Sequence, residues 1–464
     1  MRFSDLEDTE TRSVTLTRAG ESDSWESRCG CHRVAIPAEV PLMSSRLSTT
    51  MLKLFALVST LALVQGLSTR VLAQPAATPT TALINGRWFN GQSFDSRTMY
   101  SVDGRFTSRK PAHVDRTIDL ADTWIVPPFA DAHSHTIGKG VEDADRKAIH
   151  QHLTDGVFYL KIQANLPLTD EMRRRLPINH PDSLDVIFAG APLTATGGHP
   201  TTMHEIQLKR GMFPGYTNET LRDHTYFLID SESDLEQKWP RILGLGSDFI
   251  KTILTFSDEF EKRRGQELSG LDPRLLPRIV QKAHAAKLSV STHVANNADF
   301  HAALAAGVDE VAHLPVFATT SIALDDAKLA GQRRIVVDTT CGQVSMLPRR
   351  LVPEDDIPKI VAAQKVNLRL LYTSGVQLAI GSDLIESPVK EIAYLRDLDV
   401  FDNLTLIKLW TESTAHTIFP NRKIGRLAEG YEANFVALEG NPLDSLDNVR
   451  RIKLRFKQGA VIQP

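Results

Sequence analysis

Cysteine is scarce: three residues in 464. Cys29 and Cys31 stand in an N-terminal stretch, which leaves Cys341 alone in the body of the chain. That excludes a disulfide framework and a cysteine-based zinc site. Any metal must then be held by nitrogen and oxygen. A charge excess is missing as well. Lys and Arg number 53 against 56 Asp and Glu, a formal net charge of -3, so nothing in bulk argues for nucleic acid or an anionic membrane surface. The apolar run Leu54–Val64 is 11 residues, too short to span a bilayer as a helix. What remains is the make-up of a soluble globular protein, 42% hydrophobic and 23% charged. The 15 histidines matter for where they fall rather than for their number.

Residues 51–73 read as a signal peptide: Met51 and Lys53, the apolar run, then a more polar stretch ending Val71-Leu72-Ala73. Cleavage near Ala73 predicts a secreted or periplasmic protein with no membrane span in its mature form. Pro75 to Thr81 reads as a flexible leader. Residues 1–50 are polar and without periodicity. They read as a mis-assigned start, with Met51 the true one, or else as a disordered extension. A signal that begins at residue 51 would export poorly, which favours the first reading.

The chain exceeds one average domain, and a barrel with a small appended domain would account for its length. Ala82 to Asp122 is strand and turn in character, with Asn-Gly turn signals at 85–86 and 90–91. The C-terminal stretch is similar: Asn434–Leu438 reads as a strand and Val449–Val461 holds one or two more. Residues 82–127 and 423–464 are therefore expected to pair into a β-sandwich domain. Between them, 128–422 alternates strand and helix. Strand candidates are Thr123–Val126, Val157–Lys161, Asp185–Ala189, Asp248–Leu254, Ser289–His293, Glu310–His313, Ile335–Thr339 and Gln377–Gly381. Helical patterns include Pro273–Ala286, Asp299–Ala306 and Asn367–Ser374. Eight strands alternating with helices predict a closed (β/α)8 TIM barrel of the α/β class.

The polar residues on these strands carry the chemistry. His133-Ser134-His135 follows the first candidate. Side chains alternate along a strand, so both rings fall on one side and can chelate one ion. Lys251 lies inside an otherwise apolar strand, where a lysine needs a reason. One reason is carbamylation by carbon dioxide, which requires the neutral amine that burial favours. His293 and His313 end their strands, and Asp383 follows the last. All stand at strand carboxyl ends, the catalytic face of a barrel. Each alone has a plainer reading: a polar cap for a histidine, a buried ion pair for Lys251, a helix cap for Asp383. Six in this order argue for a site.

With these residues the chain resembles the amidohydrolase superfamily, in its imidazolonepropionase-like and prolidase-like branch with a binuclear metal centre. That pattern has His-x-His after the first barrel strand, Lys on the fourth, His after the fifth and sixth, and Asp after the eighth. The resemblance extends over residues 82 to 460 and includes Glu310–His313 and Ile424–Phe435, where Asn434 replaces the usual Asp. It implies that His133, His135 and Asp383 hold one divalent metal and His293 and His313 the other, with carbamylated Lys251 bridging both. Zinc suits such ligands, and manganese, cobalt or iron also would. The implied activity is hydrolysis of an amide, cyclic amide or dipeptide C–N bond by a metal-bridging hydroxide, with Asp383 moving the proton to the leaving nitrogen. His199, in Gly197-Gly198-His199-Pro200, reads either as a contact to substrate or its polarised oxygen or as a surface histidine in a turn. Asp131 is expected to support the first histidine pair. His204 and His224 are assigned structural or surface roles.

Lactone or phosphotriester hydrolysis on the same centre is an alternative. A non-catalytic barrel relative is another, although such relatives lose ligands and this chain keeps six. A metal-independent binding module would not explain Lys251 and Asp383 aligned with four histidines. The partner is a small-molecule substrate, and family habit implies a homo-oligomer. Specificity belongs to the loops Gly138–Arg146, Leu193–Tyr226, Phe256–Leu268 and Thr340–Asp356. The second is long enough to act as a lid, and its Arg210 and Arg222 could meet a substrate carboxylate.

Overall fold

The computed structural model describes residues 78–168 and 170–464. The expected signal at 51–73 and the stretch before it lie outside the described residues.

The chain begins with a sheet. β1 (Thr81–Phe89), β2 (Phe94–Val102) and β3 (Arg105–Thr107) run antiparallel, while β4 (Arg116–Asp119) and β5 (Trp124–Val126) lie parallel to β1. Asn90-Gly91 turns the chain from β1 to β2: the Asn90 side-chain oxygen accepts the N–H groups of Gln92 and Ser93 at 3.0 and 2.9 Å. Asn85-Gly86 does not turn, contrary to expectation. It forms a bulge inside β1, where the register to β2 shifts between Leu83 and Gly86 and Asn85 takes φ 65°. Glycine is needed there because a Cβ on Gly86 would lie 3.0 Å from Ile125 Cγ1. Asn-Gly supplies left-handed backbone to a hairpin turn and to a bulge alike.

Parallel strands follow. β6 (Phe129–Ser134), β7 (Val157–Ile162) and β8 (Asp185–Phe188) form one group. The second holds β9 (Leu193–Thr194), β10 (Phe227–Leu228), β11 (Ile250–Ile253), β12 (Val290–His293), β13 (Glu310–Val311), β14 (Val336–Asp338) and β15 (Gln377–Ala379). Main-chain bonds join the groups at both seams. Asp248 N–H donates to the Phe188 carbonyl at 2.8 Å, and Ala132 N–H donates to that of Ile380 at 2.8 Å. The ring β6-β7-β8-β11-β12-β13-β14-β15 closes as the expected eight-stranded parallel barrel, with β9 and β10 paired beside β11.

One strand assignment needs correction. Trp124–Val126 is not a barrel strand; it pairs with β1 and with the C-terminal β16 (Asn434–Leu438). The first barrel strand is β6, which carries His133 within it. Polar residues and the preceding Pro127-Pro128 disguise β6 in the sequence, because its far end faces a polar site rather than the core. β16 is followed by β17 (Ile452–Lys457) and β18 (Ala460–Ile462), so that strands from both chain ends form one sheet ordered β18-β17-β16-β5-β1-β2-β3, with β4 on β1.

Helices cover the barrel. Leu276–Ala285 turns Leu276, Ile279, Val280 and Ala283 inward. Asn297–Ala306 starts at a capping box of Asn296 with Asp299 and ends at Gly307, φ 80°. The pattern at 367–374 is the C-terminal part of the longer helix Ile357–Thr373. Among the described residues no helix is long and apolar enough to cross a membrane.

Candidate metal centre

Strand alternation sends Asp131, His133 and His135 of β6 and its extension to one side. Asp131 is fully buried and accepts the His133 N–H at 3.1 Å, the Ser382 N–H at 3.0 Å and the Ser382 hydroxyl at 2.6 Å. It supports the backbone around the histidine pair, and the backbone beside Asp383, rather than the imidazole rings. Burial pushes its carboxyl up to about 7. The His133 ring is held elsewhere: its Nδ1 meets the Ala312 carbonyl and lies 3.5 Å from Asp338 Oδ2. That leaves Nε2 facing Asp383, as a metal-ligating imidazole requires.

Asp383 follows β15 in a short 3-10 turn with φ 46°. This left-handed backbone costs a non-glycine residue about 1–2 kcal/mol, and structure around the site holds it. Ser382 is tied to Asp131 and to the His133 carbonyl, and Gln343, which donates to the Thr340 hydroxyl at 2.9 Å, lines the same cavity as Asp383. Asp383 Oδ1 stands 3.6 Å from His135 Nε2, and Oδ2 stands 3.9 Å from His133 Nε2. One donor atom from each of His133, His135 and Asp383 lies within 4.8 Å of the others.

A second pair adjoins this group. His293 ends β12 and His313 lies just past β13; His313 Nε2 is 2.6 Å from His293 Nδ1. The His313 ring centroid is 5.6 Å from that of His133. Burial, reinforced by neighbouring positive groups, holds His133, His293 and His313 well below the usual imidazole range, and brings His135 down to about 3. The rings are therefore neutral, the form that binds metal.

Lys251 stands in β11, 3% exposed, and its Nζ has no hydrogen-bond partner. Burial lowers its pKa, while Asp338, Glu310 and Asp383 pull the other way. A buried amine without a partner is costly unless something else completes it. Neutral nitrogen donors, a carboxylate and this orphaned amine fit divalent metal.

All six predicted ligands, and His199, line one cavity of about 440 Å³. His199 stacks on His293 with ring centroids 5.0 Å apart. The glycines before it permit close approach to a neighbouring loop: a Cβ on Gly197 would lie 2.6 Å from the Gly265 carbonyl, and one on Gly198 2.8 Å from that of Ser269. His204 also lines the cavity. It is buried against Phe213 and Tyr226, with Nδ1 3.0 Å from the Thr225 hydroxyl. His224 lies outside the lining, beside Arg241. Arg210 borders the cavity and Arg222 does not.

Sequence reasoning passed over a polar layer within the barrel. Lys161 of β7 pairs with Glu310 of β13, both buried. Gln163 and Ser291 donate to the same carboxylate at 2.7 and 2.9 Å, and Asp338 of β14 completes the layer with its Oδ1 unpaired. The signal for Lys161 was the one that singled out Lys251, a lysine in an apolar strand. Gln343 left no signal, since only the folded loop after β14 brings it to the cavity.

Residues 250–462 match the model of the amidohydrolase family. No curated protein matches the sequence. Among solved structures, Aspergillus niger ochratoxinase is similar at 17% identity, covering 84% of this chain and 96% of that one with a TM-score of 0.67. A prolidase complexed with N-methylphosphonate-L-proline is similar at 16% identity, 83% and 99% coverage and a TM-score of 0.64. A Xaa-Pro dipeptidase with methionine in its active site is similar at 18% identity, 83% and 100% coverage and a TM-score of 0.63. At such identities the likeness concerns the fold. The family match over residues 250–462 and the His133–His135–Asp383 cluster together make this part of the chain similar to the amidohydrolases, with three residues arranged to hold a metal ion.

Proposed function

We propose that this protein hydrolyses an amide-type C–N bond with two divalent metals, zinc being the best fit to the donors. The observation that carries this reading is the unpartnered, buried Lys251 amine set among His133, His135, His293, His313 and Asp383. His133, His135 and Asp383 would hold one ion and His293 and His313 the other. Lys251 would bridge them as a carbamate: its nitrogen adds to carbon dioxide, a C–N bond forms and a proton leaves. When bound, the metals supply a Lewis acid for the scissile carbonyl and a water activated near neutral pH. Asp383 would take a proton on its carboxylate and return it to the departing nitrogen. His199, stacked on His293, would hold the substrate carbonyl or its neighbour. The relatives named above include a prolidase and an ochratoxinase, which supports amides and dipeptides as the first substrates to try. Arg210 offers a cation for a substrate carboxylate. The signal-like stretch 51–73 supports a secreted or periplasmic enzyme.

The test is metal content per chain, by elemental mass spectrometry on protein purified with bicarbonate present. About two ions per chain is the expected result, as a bridged binuclear centre requires. About one would remove the bridge. None, even after incubation with zinc, manganese or cobalt, would sink the hydrolase reading in favour of a non-catalytic relative.

A further inference from the structure

The cavity above the metal ligands is walled by apolar side chains that belong to neither the barrel core nor the terminal sheet. Leu166, from the segment after β7, and Phe213, from the loop between β9 and β10, belong to a small separate cluster with Leu221, Tyr226 and Leu228. Val316 and Leu347 come from a second cluster, with Phe317 and Leu351 packed against it, built after β13 and β14. Each cluster thus joins two loop segments and turns part of its apolar surface toward the site. The apolar lining continues outward. Ile206 and Leu384 border the cavity and are each 41% exposed. Large aliphatic groups left in water at the mouth of a concave site have no packing role there and mark a ligand surface.

We infer that the site takes amides bearing a bulky apolar group, a medium-chain acyl or comparable hydrocarbon, which lies between the two loop clusters. This deepens the hydrolase reading and rests on it for the reacting bond. A small polar dipeptide would leave most of that wall unused. A hydrocarbon chain would cover it, removing its own surface and that of Leu351 and Ile206 from water.

The binding part is tested apart from turnover. Straight-chain carboxylates from butanoate to decanoate contain no amide and are not consumed, so their dissociation constants can be measured by calorimetry on the metal-loaded protein. Affinity should rise about two- to fourfold per methylene, the effect of burying one methylene group, so decanoate should bind at least about 50-fold more tightly than butanoate. A total change under about threefold would overturn the inference, because burial in an apolar channel must scale with chain length. Phe213→Ala and Ile206→Asp should each shrink the decanoate-to-butanoate ratio. Ile206 is already 41% exposed, so its replacement puts folding at little risk, and an unchanged ratio in that variant would overturn the assignment of the rim. Hydrolysis of N-octanoylglycine against N-acetylglycine is read in parallel. Chain-length-dependent binding with no metal and no hydrolysis would sink the hydrolase reading and leave the apolar channel standing. Two metals and hydrolysis with flat binding would do the reverse.

Discussion

Two lysines in apolar strands look alike in the sequence and differ completely in the fold. Lys161 ends in an ion pair with Glu310, which also accepts from Gln163 and Ser291. Lys251 Nζ has no hydrogen-bond partner among the described residues. Composition and periodicity mark both as buried cations. Only the distance to a carboxylate separates a satisfied pair from an amine that awaits chemistry. Lys251→Ala should therefore lose most of the bound metal, and short carboxylic acids such as formate or propionate should restore part of it. Metal content with and without the acid checks this; a variant that keeps both ions without rescue would count against a carbamate bridge.

At the scale of elements, the site depends on how closely β6 and β15 approach. Ser382 N–H donates to the His133 carbonyl at 3.0 Å across that seam. Gly381 makes the approach possible: a Cβ there would stand 2.6 Å from His133 Cβ and 2.9 Å from Thr340 Cγ2. Gly381→Ala must push His133 or the loop after β14 aside, an overpacking cost of about 1–3 kcal/mol. The expected outcome is a folded protein with weakened metal binding, seen as a lower metal-to-chain ratio beside a near-native circular dichroism spectrum. Unchanged metal affinity would mean that the seam yields without moving His133. The sequence places Gly381 at a strand end and says nothing of what it faces. In the same way it reveals the alternation of strands and helices while assigning 124–126 to the barrel instead of 129–134. Alternation reports periodic burial, and β6 breaks the pattern by turning Asp131, His133 and His135 toward the site.

At the scale of the whole molecule, the described residues from 78 to 464 belong to one compact unit, and a buried charge network joins the terminal sheet to the barrel. Lys457 of β17, 0% exposed, donates to Asp185 of β8 at 2.7 Å and to the carbonyls of His180 and Ser183 at 2.7 and 2.6 Å. Arg422 bridges Asp185 and Glu432 at 2.8 and 2.6 Å. Removing one member of such a pair leaves the other buried and uncompensated. Asp185→Ala should cost about 3–5 kcal/mol, measurable as a lower urea midpoint. A loss below about 1 kcal/mol would show that water reaches Lys457 and that the pair acts as a surface one.

The sequence alone determined the class of fold and the kind of chemistry. Strand–helix alternation and polar residues at strand ends are local patterns, and local patterns survive in one dimension. That is why six candidate ligand positions, three of which the fold brings into one cluster, could be named without a structure. Tertiary structure decided what depends on partners distant in the chain: which lysine is paired, which residue steadies Asp383, which segment completes the ring, and which side chains wall the cavity. Hydrogen bonds such as Ser382 to Asp131, 251 residues apart, and contacts between loops leave no period in the sequence. Their energetics exist only once burial has removed the water that would otherwise satisfy each group.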